Sequence, residues 1–147
     1  MTQKLAYRFI EALDALEQRG NIERMLDIFA EACEIGNALH PEQFHGKTGA
    51  LEYWKSYRTT FRDMHSTIRN IIVGDDSIAL EWTACAVDGA GNEFRHDGVS
   101  VLDVRGKEIT RFRNYFDTKK LAERMPPHQA QNSVQRDVAI TAAAVSG

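Results

Sequence analysis

Cysteine is scarce in this chain: Cys33 and Cys85 are the only two. The start, Met1-Thr2-Gln3-Lys4-Leu5, has no continuous apolar core, so no export signal is read and no disulfide framework is needed. Neither cysteine belongs to a paired-cysteine metal motif, and Cys85 reads as a small buried hydrophobe. No window approaches the run of about 18 apolar residues that spans a bilayer. The 18 basic and 21 acidic residues nearly cancel, and no Lys/Arg cluster is interleaved with aromatics. That excludes an electrostatic track for a phosphate backbone. A glycine-rich phosphate loop and internal repeats are also missing, which argues against nucleotide cofactors and solenoids. We therefore expect a cytoplasmic protein with no nucleic-acid or membrane partner, no metal and no cofactor.

What is present is enough for one core. A chain of 147 residues, 43% hydrophobic, accommodates a single domain, placed at 1–127, with 128–147 as a flexible, small and polar tail. Leu5, Phe9, Ala12, Leu13 and Leu16 fall at helical spacing and Gly20 supplies the stop. Asn21 is placed to cap a second helix with Met25, Ile28, Phe29 and Ala32 as its buried stripe. Residues 33–47 read as a short strand and loop. Thr48 opens a third helix with Tyr53, Trp54, Tyr57 and Phe61 along its inner face. From there the period changes to alternation. Gly74-Asp75-Asp76, Asp88-Gly89-Ala90-Gly91-Asn92 and Arg105-Gly106-Lys107-Glu108 mark three hairpin turns between strands at 66–74, 77–87, 93–105 and 108–117. Asp117 and Thr118 open a short last helix that Pro126-Pro127 ends, and Asp117 is read as its N-cap rather than as a catalytic acid. The sum is an α+β domain.

Strand parity decides which side chains can share a pocket. On the second long strand Glu81, Thr83 and Cys85 share one face, and Leu80, Trp82, Ala84 and Ala86 the other. On the third, His96, Gly98, Ser100 and Leu102 go together. On the fourth, Thr110, Phe112, Asn114 and Phe116 do. His40, Glu42 and His45 fit no regular metal-ligand spacing, and His65 falls at a strand start, near the mouth of any cavity or on the surface.

The run Arg113-Asn114-Tyr115-Phe116-Asp117, preceded by Asp97-Gly98-Val99-Ser100-Val101 and Gly106-Lys107-Glu108-Ile109, resembles the last strands of the SnoaL-like, ketosteroid-isomerase and limonene-epoxide-hydrolase branch of the NTF2-like superfamily. The resemblance covers most of Leu5 to Leu121. It implies a cystatin-like cone: three N-terminal helices packed on a curved antiparallel sheet of about four long strands plus a short one. It also assigns the Glu81, His96 and Thr110 faces to the interior. Leu80, Trp82, Ala84 and Ala86 would then lie outside as the surface of a homodimer. Asn37, in Glu34-Ile35-Gly36-Asn37, would face the cavity from a short strand. The positions matching the Arg and Asp residues of limonene-epoxide hydrolases are Glu81, Thr83 and Asn114, with Asn37 kept and Ile35 where those enzymes have Tyr. Where SnoaL-like cyclases carry a His and an Asp, this chain has Ser100 and Asn114, with His96 one pleat away.

What the resemblance implies is an acid/base enzyme acting without cofactor, an isomerase, cyclase or dehydratase for a small hydrophobic carbonyl, polyketide-like or terpenoid-like metabolite. Glu81 would be the base, since a desolvated carboxylate becomes a better proton acceptor, and His96 its partner. Asn114, Asn37, Thr83, Cys85 and Ser100 would surround the substrate. Tyr53, Trp54, Tyr57, Phe61, Phe112 and Phe116 would form an aromatic wall. Two other readings stay open: water addition to an epoxide with Glu81 activating the water, and a non-catalytic ligand-binding or dimerisation module.

Overall fold

Helix α1 spans Thr2–Arg19 and buries Leu5, Phe9, Ala12, Leu13 and Leu16. It ends where Gly20 takes a left-handed φ of +70°. The Gly20 amide donates to the Leu16 carbonyl and the Asn21 amide to that of Ala15, the double closure a helix C-terminus needs for its orphan carbonyls. The computed structural model describes residues 2–37, 43–60, 62–87 and 90–116. Expectations about Phe61, Asp117, the last short helix and the tail, and about His40 and Glu42, lie outside the described residues.

The second helix is shorter than its apolar spacing suggests: α2 covers Glu23–Asp27 alone, and Phe29–Asn37 is strand β1. Phe29 and Ala32 therefore belong to the sheet. The reason is non-local. β1 runs parallel to the last strand, β6 (Glu108–Phe116), and that pairing outweighs a helical stripe of four residues. Strand β2 (Phe44–His45) adds an antiparallel pair to β1, and helix α3 (Gly46–Thr60) follows. The expected meander is β3 (Arg62–Val73), β4 (Ser77–Val87), β5 (Glu93–Arg105) and β6, with β3 starting earlier than the alternation implied. Together they form a six-stranded, curved and unclosed sheet in the order β2-β1-β6-β5-β4-β3, antiparallel apart from β1 against β6. Among the described residues three helices accompany it, so the α+β cone is the fold.

The core lies between α1, α3 and one sheet face. Phe9, Trp54 and Phe112 meet there with ring centroids 5.3 to 6.0 Å apart. Each fully buried ring of this kind contributes about 2 kcal/mol. On the far face, Arg113 holds Asp103 through two hydrogen bonds of 3.1 and 3.2 Å and ties β5 to β6.

Candidate functional site

Register places the polar residues. Leu80 pairs with Ser100, Ser100 with Asn114 and Asn114 with Asn37, so these four share one face across β4, β5, β6 and β1. That face is the interior, as expected for His96, Ser100, Phe112 and Asn114. The expectation for β4 is reversed. Leu80, Trp82, Ala84 and Ala86 are buried in the core, while Glu81 and Cys85 are exposed on the outer face. Burial of four apolar side chains in the core decides the parity, and it covers the surface assigned to a partner subunit. Cys85 is accordingly not a buried hydrophobe. Thr83 is buried too, but on the outer face, where its hydroxyl donates to Asp97 at 2.6 Å and accepts from Arg69 at 3.2 Å. Thus Glu81, Thr83 and Cys85 do not line the interior. His65 is exposed beside Gln18, 3.2 Å away.

The interior holds two polar arrays on an apolar background. One crosses the sheet into α3. Trp82 Nε1 donates to Ser100 Oγ at 2.9 Å, Ser100 Oγ donates to Asn114 Oδ1, and Asn114 Nδ2 donates to the Tyr53 hydroxyl at 2.9 Å. An indole N–H can only donate, so the Trp82–Ser100 link has one direction, and with Ser100 donating to Asn114 Oδ1 the amide presents Nδ2 to Tyr53. Asn37 is buried beside it on β1.

The other array centres on Glu17, a residue the sequence reading passed over. Its carboxylate accepts from the Ser66 amide at 2.7 Å, from the Ser66 hydroxyl at 2.6 Å and from the Tyr57 hydroxyl. Burial pushes the Glu17 carboxyl above the ordinary carboxylate range, and the hydrogen bonds from Ser66 and Tyr57 pull it back only in part. Burial, then the neighbouring Glu17 charge, drives the Tyr57 phenol well above its usual range, so Tyr57 stays a neutral donor. A signal for Glu17 did exist. It stands four residues beyond Leu13 and eight beyond Phe9, on the helix face that the apolar residues mark as buried.

Between the arrays is a cavity. Phe9, Leu13, Trp54, Ile68, Leu80 and Phe112 supply its apolar walls; Tyr57 and Ser66 stand at one side and Trp82, Ser100 and Asn114 at the other. It measures about 20 Å³, room for about one water. The indole N–H of Trp54 is buried without a hydrogen-bond partner among the described residues. His96, buried, does not line this space. Its ring packs edge-on against Trp82 at 5.4 Å, with Phe94 and Phe116 at 6.0 and 6.1 Å. Among the described residues, no three His, Cys, Asp or Glu side chains converge as metal ligands, and no helix is long and apolar enough to cross a membrane.

A curved sheet covered by helices, with a hydrogen-bonding cavity between them, defines a cone-shaped α+β fold. A family model for the SnoaL-like domain matches residues 6–112, and the chain belongs to that family. Solved structures share the fold. An NTF2-like protein from Anabaena variabilis superposes with a TM-score of 0.66 at 20% identity, over 79% of this chain and 89% of that one. A protein of ketosteroid-isomerase-like fold from Catenulispora acidiphila, in complex with trimethylamine, gives 0.71 at 17% identity, over 86% and 96%. A protein from Jannaschia described as a SnoaL-like polyketide cyclase gives 0.66 at 13% identity, over 80% and 91%. No curated protein matches the chain in sequence.

Proposed function

We propose that this SnoaL-like protein is a cofactor-free acid/base enzyme of the isomerase, cyclase or dehydratase type, acting on a small hydrophobic carbonyl metabolite held between α1, α3 and the sheet. The observation that carries the reading is the buried Glu17 carboxyl, raised by desolvation and bonded to two hydroxyls, those of Tyr57 and Ser66, that themselves line the cavity. An ionised Glu17 accepts hydrogen bonds from both hydroxyls. A protonated Glu17 donates one bond instead, which frees a hydroxyl to polarise a ligand oxygen. Starting from ionised Glu17, the oxygen of the Tyr57 or Ser66 hydroxyl takes the proton of an α C–H bond as that hydroxyl passes its own proton to Glu17; return of the proton by the same route to another carbon leaves an isomer, an ionised Glu17 and the restored hydroxyl. Ser100 and Asn114 hold a second polar group on the opposite wall.

Ligand binding without turnover is the second reading. It is favoured by the three hydrogen bonds that already satisfy Glu17 and by a cavity of about 20 Å³. Epoxide hydration loses its expected base, because Glu81 is exposed on the outer face.

Incubating the protein with metabolite extract in deuterated water, and separately in water of heavy oxygen, distinguishes the readings by mass spectrometry. Proton transfer puts deuterium alone into a compound. Heavy oxygen in an epoxide-derived diol identifies hydration. A compound retained by the protein with no label and no mass change contradicts turnover.

A further inference from the structure

A cavity of about 20 Å³ is too small for a ring; a cavity that holds a benzene measures about 150 Å³. One wall has to yield, and its neighbours single out which. Phe9, Trp54 and Phe112 brace one another in the core. Trp82 is outside that cluster. It lies over Gly98, where an added Cβ would stand 2.5 Å from two indole carbons, and its N–H bonds to Ser100 Oγ at 2.9 Å. The glycine thus leaves a flat recess on the sheet that the indole occupies, between the cavity on one side and the His96 ring on the other.

We infer that Trp82 is the movable wall and size filter of the site, and that a ligand enters by taking the place of the indole over Gly98. The occupant is then a flat ring compound. It carries a hydroxyl or N–H at its edge, because Ser100 Oγ donates to Asn114 and, once the indole leaves, needs a donor in its place. Displacing Trp82 also puts the His96 imidazole against the same ligand that faces Tyr57 and Ser66, giving the site a second titratable group. This rests on reading the cavity as the ligand site, and the test below reads binding alone, so a failure of proton transfer by Glu17 leaves its outcome intact.

The chain has two tryptophans, so the full-length protein labelled with 5-fluorotryptophan gives two fluorine resonances, assigned with Trp54→Phe. The probes are 2-naphthol and 2-methoxynaphthalene, which differ in the edge donor. 2-Naphthol moves the Trp82 resonance to the position and solvent-isotope sensitivity of an exposed indole, while Trp54 shifts little. Trp82→Ala binds 2-naphthol at least tenfold tighter than wild type, because no displacement is required. Wild type binds 2-methoxynaphthalene at least tenfold more weakly than 2-naphthol. Saturation by 2-naphthol with Trp82 unmoved, equal affinity in Trp82→Ala, equal affinity for the two probes, or no binding of 2-naphthol overturns the inference. If Trp82→Ala does not fold, the fluorine spectra and probe comparison of the wild-type protein decide alone.

Discussion

Glu17 and Ser66 are 49 positions apart, yet Ser66 reaches both carboxylate oxygens of Glu17, with its amide at 2.7 Å and its hydroxyl at 2.6 Å. The pair fastens the end of α1 to β3 inside the domain. Burial raises the Glu17 carboxyl on folding, so its folded form binds a proton more tightly than its unfolded form does. The stabilisation from that proton is fully present below about pH 4.5 and is lost as pH rises through the folded value. Glu17→Gln removes this term. Urea unfolding of the two proteins from pH 4.5 to 8 shows a steeper decline for wild type; parallel curves contradict the argument.

Ser100 stands between two buried groups. Ser100→Ala leaves Trp82 Nε1 without its acceptor and Asn114 Oδ1 without its donor. Stability falls by about 2 kcal/mol, measured by denaturant unfolding. A change below about 0.5 kcal/mol means that the array adds no net stability.

Gly98→Ala is unfavourable because of what the new methyl meets. Its Cβ falls 2.5 Å from the Trp82 ring and 2.7 Å from the Tyr115 carbonyl oxygen. A cost of about 2 kcal/mol is expected, with tryptophan emission moving to the red as the indole is pushed from its recess. In a Trp82→Ala background the cost shrinks by about half, the carbonyl contact remaining. An equal cost in both backgrounds assigns the strain to the backbone alone.

Outer-face residues behave differently. Glu81→Gln and Cys85→Ser change unfolding free energy by no more than about 0.5 kcal/mol, because both side chains are exposed. A loss of 2 kcal/mol or more in either contradicts that placement.

The sequence carried the meander well, since hydrophobic alternation and the glycine turns at Gly74 and Gly106 are local signals. Helical spacing marked Tyr53, Trp54 and Tyr57 as the inner face of α3, and the resemblance put Ser100, Phe112 and Asn114 inside, where on β5 and β6 the rule of burying the more apolar face gives the same answer. On β4 the same rule points to Leu80, Trp82, Ala84 and Ala86. Assigning the face by resemblance instead put Glu81 inside. Phe29 and Ala32 fit a helical stripe as well as a strand, and only pairing with β6, 77 to 80 residues later, separates the two. Glu17 was legible as a carboxylate on the buried face of α1 but its role was not, because its partners come from α3 and β3 and no pattern within α1 shows that Tyr57 and Ser66 arrive to receive it.

The central claim is that the interior carboxyl works with the cavity hydroxyls and the exposed one does not. The direct measurement is deuterium incorporation from heavy water into the components of a metabolite extract, with wild type, Glu17→Gln and Glu81→Gln side by side. The account predicts a compound labelled equally by wild type and Glu81→Gln, with labelling at least a hundredfold slower in Glu17→Gln. Undiminished labelling by Glu17→Gln, or loss confined to Glu81→Gln, contradicts it.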